Sequence, residues 1–228
     1  MKILFTAATT FEIAPLFEEL NKKVSLTNEN QLITFQSKYI SISILITGVG
    51  ITATTYALTK CLQKNKFDIV INAGICGAYH NQLVIGDVIS IISEEFGDFG
   101  VTDAQGNFLD AFDSHFYSNN TFPFCNGKLI NEVGESGTYF KKAKGVTVNQ
   151  SSGAVMAIEK LHNKFNADVE TMEGAAFFYV CLHEKVNFLS IRAVSNYVTE
   201  RNKEAWNIPL AVENLNKALI QVTDFYQF

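Results

Sequence analysis

The sequence predicts an α/β fold with three layers, α/β/α, around a central mixed, mainly parallel sheet. Apolar strand-like runs alternate along the chain with helical patterns of about 11–20 residues, the order typical of a sheet covered on both faces. The 228 residues suit one α/β domain. With only three prolines and no Gly/Ser-rich linker, we expect a single domain over residues 1–228.

The first part of the chain opens with an apolar strand, Lys2–Ala8. A helical pattern follows at Phe11–Leu20, with Pro15 in its first turns, where proline is tolerated. A hairpin, a helix and two further strands are predicted next, with glycine segments between some of them. These are predicted at Gln31–Ser37 paired with Tyr39–Thr47, the helix Ile51–Gln63, the strand Asp68–Asn72 with a glycine turn Gly74–Gly77, and the strand Asp87–Ser93.

The alternation resumes towards the end of the chain. Predicted elements are a helix Ala154–Lys164, an extended Asp168–Glu170, an apolar helix Gly174–Lys185, a strand Asn187–Val194 and an amphipathic helix Ala205–Phe225. Sites in such folds collect at the carboxyl ends of the strands. The polar or glycine-rich segments there are Ala8–Glu12, Gly48–Gly50, Gly74–Gly77 and Ser195–Asn196. Their convergence predicts a ligand site.

Composition excludes several classes of protein. The net charge of −5 and the isoelectric point near 5.4 do not indicate the basic surface that binds nucleic acid. No apolar run has the length of a membrane span, and the opening residues do not resemble a signal peptide, so we expect a soluble cytoplasmic protein without a membrane partner. The four cysteines form no CxxC pair and the four histidines have no metal-binding spacing, so neither metal nor cofactor is expected.

The segment Glu94–Cys125 is rich in aromatic residues and contains no Lys or Arg. Such a segment predicts core packing and contact with a second subunit, or a cover over an apolar ligand. It therefore favours a homo-oligomer.

Two polar clusters carry candidate chemistry. In Glu170–Ala176, Glu173 stands before an apolar helix, where it either caps the helix N-terminus or accepts hydrogen bonds from sugar hydroxyls. In Arg192–Asn196, an arginine precedes polar residues at the end of a buried strand. Arg192 forms either a structural ion pair or a contact with a carboxylate of the site.

Together these motifs resemble the nucleoside phosphorylase/nucleosidase superfamily, in its 5′-methylthioadenosine/S-adenosylhomocysteine nucleosidase branch. The motifs are Glu12 after the first strand, TGVG at 47–50, NAGICG at 72–77, GDV at 86–88, ETMEGAA at 170–176 and RAVSN at 192–196. EEFGDFG at 94–100 and ERNKEAW at 200–206 resemble the futalosine hydrolase family in particular. That family removes hypoxanthine from futalosine in an alternative route to menaquinone. The resemblance implies a nucleoside phosphorylase-like fold and a small-molecule nucleoside substrate.

The resemblance also implies roles for single residues. Glu12 matches the acid that activates the attacking water, and Glu173 with Met172 matches the pair that binds the ribose. The segment that lies beside the purine in the family matches Ile75, Cys76 and Gly77. Val49 lies at a position where the family contacts the ligand. Arg192 matches a position that helps to hold the carboxylates, Ser195 adjoins the base-contacting residue, and a base-stacking residue is expected within Val148–Gly153.

Two departures from the branch bear on substrate and nucleophile. Asn196 stands where the nucleosidases place the Asp that protonates purine N7. An amide NH₂ suits the two acceptors of a 6-oxopurine, which favours hypoxanthine over adenine. The first glycine segments lack the Arg that holds phosphate in the phosphorylases, which favours water as nucleophile.

Other hypotheses stay open at this point. They are a nucleosidase that releases adenine, a phosphorylase, and a nucleoside-binding protein without catalysis. For the 5′ benzoate of futalosine, Arg201 or a nearby Lys is the predicted contact.

Overall fold

A computed structural model of the chain describes residues 1–23, 26–29, 32–132, 139–200 and 202–226, and only the backbone for 26–29. Its strands are β1 Lys2–Ala7, β2 Leu26–Glu29, β3 Leu32–Gln36, β4 Ser41–Ile46, β5 Ile69–Ala78, β6 Val88–Phe96, β7 Gly100–Thr102, β8 Phe108–Asp110, β9 Leu129–Ile130, β10 Lys141–Thr147, β11 Val169–Thr171 and β12 Phe188–Tyr197. Its helices are α1 Thr10–Lys23, α2 Ile51–Lys64, α3 Val155–Phe165, α4 Gly174–Glu184 and α5 Ile208–Phe225, with a 3₁₀ turn at Lys203–Ala205.

The main sheet runs in the order β11-β10-β6-β12-β5-β1-β4-β3-β2. Parallel pairing joins β4, β1, β5 and β12 into the central block, and antiparallel pairing joins β12 to β6. Strand β11 also pairs with β5, so that five strands close into a ring. The predicted α/β architecture with a central mixed sheet is confirmed.

Helices cover both faces of the sheet. On one face α1 and α5 bury Leu16 and Leu215 against β1, β4 and β5. On the other face α2 and α4 bury Leu58 and Phe177. None of the described helices is long and apolar enough to cross a membrane.

The last helix fixes the start of α1, which carries Glu12. The buried side-chain amide of Asn216 on α5 donates to the carbonyl oxygen of Glu12 at 2.9 Å and accepts from the N–H of Leu16 at 3.0 Å. Pro15 between them has no N–H of its own to donate. The first turn of α1 is thereby tied to a helix far away in the sequence.

The glycine turn predicted at Gly74–Gly77 is wrong: these residues lie inside β5, which runs on to Ala78. Glycine is required there by close approach of neighbours rather than by a turn, since a Cβ on Gly74 would lie 2.1 Å from Arg192 Nη1. The strand predicted to end at Val194 likewise continues to Tyr197, with a bulge before Asn196. Strand β10 was not predicted.

The aromatic segment packs on its own chain. Phe112 and Phe124 meet edge to face at 5.1 Å between ring centroids, and Phe124 also contacts Tyr179 of α4. Phe116 and Phe122 remain exposed. The segment therefore contributes to the core and leaves aromatic rings on the surface, whereas none of its described residues lines the cleft described next.

Candidate active site

A cleft of about 330 Å³ opens where β1, β4, β5, β11 and β12 end. Nine of the predicted site residues line it: Glu12, Val49, Ile75, Cys76, Gly77, Met172, Glu173, Ser195 and Asn196. The further lining residues include Thr9, Phe11, Ser151, Ser152, Glu170, Tyr197 and Trp206. The parallel strands bring these segments together because their carboxyl ends meet at one edge of the sheet.

Glu12 is held with its carboxylate at the cleft. Its side chain is 7% exposed. Oε2 accepts hydrogen bonds from both the N–H and the hydroxyl of Thr9, each at 2.9 Å, and Oε1 accepts from the N–H of Ile75 at 3.3 Å. Fixed neutral donors keep such a carboxylate in one orientation while leaving lone pairs for a water molecule.

Glu173 immediately precedes α4, in the N-cap position, but its side chain does not form the capping hydrogen bond. Its Oε1 accepts from the N–H of Gly50 at 2.9 Å, whereas the first N–H groups of α4 go to the hydroxyls of Thr171 and Thr147. The carboxylate is therefore directed towards the cleft. Burial raises the pKa of Glu173, and the nearby Arg192 guanidinium and the Gly50 N–H oppose that rise.

Arg192 lies behind the cleft and is not among its described lining residues. It is 1% exposed, its Nη1 is 3.7 Å from Glu173 Oε2, and its Nη2 donates to Asn72 Oδ1. A Cβ on Gly74 would collide with this guanidinium. Of the two alternatives for Arg192, the geometry therefore favours a contact with a carboxylate of the site, namely Glu173.

Glu94 is a second buried carboxyl, near enough to Arg192 for the two charges to interact. The Thr147 hydroxyl donates to it at 2.8 Å and the Thr171 hydroxyl at 3.3 Å. Burial raises its pKa to about 7, against the opposing effects of Thr147 and Arg192. The charge of the guanidinium thus opposes the effect of burial on the pKa of both Glu94 and Glu173.

Asn196 has an amide whose orientation is set by its neighbours. Its Oδ1 lies 2.7 Å from the hydroxyl of Ser195, which also reaches the Cys76 carbonyl at 3.1 Å. Its Nδ2 donates to the Tyr197 carbonyl at 3.0 Å. With the oxygen engaged by Ser195, the amide has one N–H left for a ligand.

Several cleft residues were missed by sequence reasoning. Glu170 was noted only as a neighbour of Glu173, and Trp206, the single tryptophan, was not connected with the site. Ser151 and Ser152 do fall in the stretch 148–153 that was predicted to adjoin the base. Arg201, the predicted partner of a 5′ carboxylate, lies outside the described residues.

Comparisons with known proteins agree on one family. Residues 2–225 match the model of the phosphorylase superfamily. A futalosine hydrolase of Thermus thermophilus is 28% identical over 179 residues, covering 77% of this chain and 78% of the relative. A 5′-methylthioadenosine/S-adenosylhomocysteine nucleosidase of Aeromonas salmonicida is 29% identical over 226 residues, covering 96% of each.

Solved structures show the same fold at lower identity. A 5′-methylthioadenosine/S-adenosylhomocysteine nucleosidase from Neisseria meningitidis, in complex with methylthio-immucillin-A, has a TM-score of 0.78 at 18% identity and covers 97% of this chain and 98% of its own. The futalosine hydrolase of Helicobacter pylori has a TM-score of 0.76 at 18% identity, covering 98% and 97%. With the match over residues 2–225 and relatives that are both hydrolases of N-glycosyl bonds, the chain belongs to the phosphorylase superfamily, as an enzyme of its nucleosidase branch.

Proposed function

We propose that this enzyme hydrolyses the N-glycosidic bond of futalosine and releases hypoxanthine and dehypoxanthine futalosine, a step of menaquinone biosynthesis. The observation that carries the proposal is the orientation of Asn196. Because its Oδ1 lies 2.7 Å from the Ser195 hydroxyl and one Nδ2 hydrogen goes to the Tyr197 carbonyl, the second Nδ2 hydrogen is the donor that the amide offers to a base. A 6-oxopurine presents two acceptors, N7 and O6, to this N–H. Adenine presents one acceptor and a 6-amino donor, which would have to share the Oδ1 that already lies beside the Ser195 hydroxyl.

The bond broken is C1′–N9, through a transition state that resembles an oxocarbenium ion. The Asn196 N–H stabilises negative charge that develops on the departing base. Glu12 removes a proton from the water that attacks C1′ from the opposite face of the ribose. Glu173 accepts hydrogen bonds from the sugar hydroxyls and so keeps C1′ aligned with that water.

Water rather than phosphate is the proposed nucleophile. Among the described residues that line the cleft there is no Lys or Arg, and Arg192 is already engaged with Glu173 and Asn72. A phosphate ion bound without a cationic partner is poorly stabilised. The homodimer and the cytoplasmic location expected from the sequence stay predictions.

A second candidate is a 5′-methylthioadenosine/S-adenosylhomocysteine nucleosidase that releases adenine. It is favoured by the Aeromonas relative, which matches 96% of both chains, whereas the futalosine hydrolase of Thermus matches 77% of this chain. The two candidates share the roles of Glu12 and Glu173 and differ in the base that Asn196 contacts.

The deciding experiment is a chromatographic assay of released base. Futalosine, inosine and 5′-methylthioadenosine are each incubated with the protein, with and without phosphate. We expect hypoxanthine from futalosine at a rate independent of phosphate. Adenine from 5′-methylthioadenosine, with futalosine untouched, would establish the second candidate, and turnover that requires phosphate would identify a phosphorylase.

The variant that tests Glu12 is Glu12→Gln, which keeps the size of the side chain and one oxygen for the two Thr9 donors, while the bond from the Ile75 N–H is lost. It should lower kcat by about 10²–10⁴-fold, the usual contribution of a general base, while hypoxanthine still binds. A variant with undiminished kcat would remove Glu12 from the mechanism.

A further inference from the structure

Glu170 is the third carboxylate among the described residues that line the cleft, after Glu12 and Glu173, and the mechanism above does not use it. It lines the cleft and is only 7% exposed. The Tyr79 hydroxyl donates to its Oε2 at 2.9 Å and the N–H of Ser152 donates to its Oε1 at 2.9 Å. Among the described residues, no Lys or Arg forms an ion pair with it. A buried carboxylate held only by neutral donors is suited to a further donor from a ligand.

The sheet register places Glu170 opposite the base-contacting Asn196. Gly77 on β5 pairs with Glu170 on β11 and with Asn196 on β12. Directly paired residues of neighbouring strands project from the same face, and the strands lie about 4.8 Å apart. The Cα atoms of Glu170 and Asn196 are therefore at most about 10 Å apart, two strand spacings, and closer where the strands curve into the five-stranded ring.

Gly77 lies between them and allows Asn196 to come close to the strand. A Cβ at Gly77 would lie 3.1 Å from Asn196 Nδ2 and 2.8 Å from the Val198 side chain, so any larger residue would displace them. Glu170, Gly77 and Asn196 line the same cleft. A planar bicyclic base bound in that cleft can present one edge to Asn196 and another to Glu170.

We propose that Glu170 is a specificity-determining residue that accepts a hydrogen bond from N1–H of a 6-oxopurine. The inference rests on the proposed function and adds the second edge of the base to it. A 6-oxopurine has a proton on N1, whereas N1 of a 6-aminopurine has a lone pair and no proton. A carboxylate stabilises the first base and repels the second, so Glu170 and Asn196 select the same base from opposite edges.

The surroundings of Glu170 hold it ready for this contact. Each carboxylate oxygen uses one lone pair for Tyr79 or Ser152 and keeps another for a ligand. Tyr79 is itself fixed, because its ring stacks on His162 with 5.0 Å between centroids. Burial, together with the neighbouring Glu170 charge, raises the pKa of Tyr79, so the phenol keeps its proton and remains a donor.

The test compares futalosine with its 6-amino analogue, which differs only in the base. For each substrate kcat/KM is measured on the wild type, on Glu170→Gln and on the control Glu159→Gln, which makes the same change on the exposed surface of α3. In Glu170→Gln the futalosine value should fall about 10- to 100-fold while the value for the 6-amino analogue holds or rises, because a glutamine N–H can donate to its N1. Glu159→Gln should leave the ratio of the two values unchanged.

A structural role for Glu170 gives a different result. If the carboxylate only anchors the Ser152 loop, Glu170→Gln lowers both kcat/KM values by the same factor, and the inference is overturned. Glu170→Asp is the second variant where Glu170→Gln does not fold. It retracts the carboxylate by one methylene and should again reduce futalosine turnover selectively; an equal loss on both substrates overturns the inference here too.

The assay distinguishes a failure of the role of Glu170 from a failure of the proposed function. A wild type that cleaves futalosine, together with a Glu170→Gln variant of unchanged selectivity, overturns the role of Glu170 and leaves the proposed function standing. A wild type that releases only adenine overturns the proposed function, and the role of Glu170 with it.

Discussion

The side-chain amide of Asn216 donates to the backbone carbonyl of Glu12 across 204 residues of sequence, at 2.9 Å. The same amide accepts from Leu16, so it is bonded to the first turn of α1 at two points. The helix that carries the proposed base is thus oriented by the last helix of the chain. Changes on α5, remote from the substrate, should therefore alter catalysis.

Asn216→Leu should lower both stability and kcat. Loss of the amide leaves buried polar groups of Glu12 and Leu16 without this partner, which costs about 1–3 kcal/mol. A displaced Glu12 should reduce kcat by about tenfold or more, since small errors in position are expensive in catalysis. Denaturant unfolding and steady-state kinetics measure the two effects.

Asn214→Leu is the matched control for that prediction. Asn214 lies on the same helix and its amide donates to the Gly86 carbonyl at 2.9 Å, with no contact to α1 among the described hydrogen bonds. It should reduce stability without changing kcat. Equal effects of the two substitutions on kcat would mean that Asn216 does not position Glu12.

Gly74→Ala should lower both kcat/KM and the free energy of unfolding. The new methyl group would lie 2.1 Å from Arg192 Nη1 and 3.0 Å from Glu12 Oε1, so the guanidinium and the carboxylate must move. Forced displacement in a packed interior costs about 1–3 kcal/mol, and we expect kcat/KM to fall about 100-fold.

Gly106→Ala is the control for Gly74→Ala, because it should lower the stability of the protein without changing the active site. Gly106 has φ +82° with nothing within 4 Å of an added Cβ, so alanine there is strained but collides with no neighbour. It should cost about 1 kcal/mol of stability and leave kcat/KM unchanged. Normal activity in Gly74→Ala would contradict the proposed dependence of the site on Arg192.

Glu94→Gln should change the pH dependence of stability. Burial raises the pKa of Glu94 from 4.5 to about 7, so the folded protein retains a proton that the unfolded chain releases at lower pH. The favourable contribution is complete below about pH 4.5 and is lost as the pH rises towards 7. Relative to Glu94→Gln, wild-type stability should therefore fall across this window, by on the order of 3 kcal/mol at most.

Denaturant unfolding at several pH values, for both proteins, measures this difference. Glu159→Gln on the exposed surface of α3 is the control and should follow the wild-type curve. A constant difference between wild type and Glu94→Gln from pH 4.5 to 7 would show that Glu94 is ionised in the folded protein throughout.

Ser195→Ala should weaken the choice between bases. The Ser195 hydroxyl lies 2.7 Å from Asn196 Oδ1 and, as a donor to that oxygen, holds the amide in this orientation. Without it the amide can turn over, and the kcat/KM ratio of futalosine to its 6-amino analogue should fall about three- to tenfold. Ser190→Ala is the control on the same strand, because the buried Ser190 hydroxyl has no hydrogen-bond partner among the described residues. A ratio unchanged by Ser195→Ala would remove this orienting role.

Local patterns in the sequence predicted most of the central elements. Strand β1 and helix α2 were placed to within one residue at each end, because buried strands and amphipathic helices have distinct periodicities of apolar residues. Strand β10 was missed because KKAKGVT has three lysines and no apolar run, although its second half is buried. The last helix was predicted to begin at Ala205 but begins at Ile208, and Ala205 instead ends a 3₁₀ turn that starts at Lys203.

The sequence by itself determined the fold class and the segments that meet in the cleft, because the carboxyl ends of parallel strands share one edge of the sheet. Only the tertiary structure decided how those segments are arranged. The pairing of β5 with β11 and with β12 places Glu170 and Asn196 on either side of Gly77. The Arg192 guanidinium lies beside Glu173, in a position that a side chain at residue 74 would block. Periodicity along the chain reports which residues are buried, whereas strand register and the close approach of side chains depend on residues far apart in sequence and are absent from any local pattern.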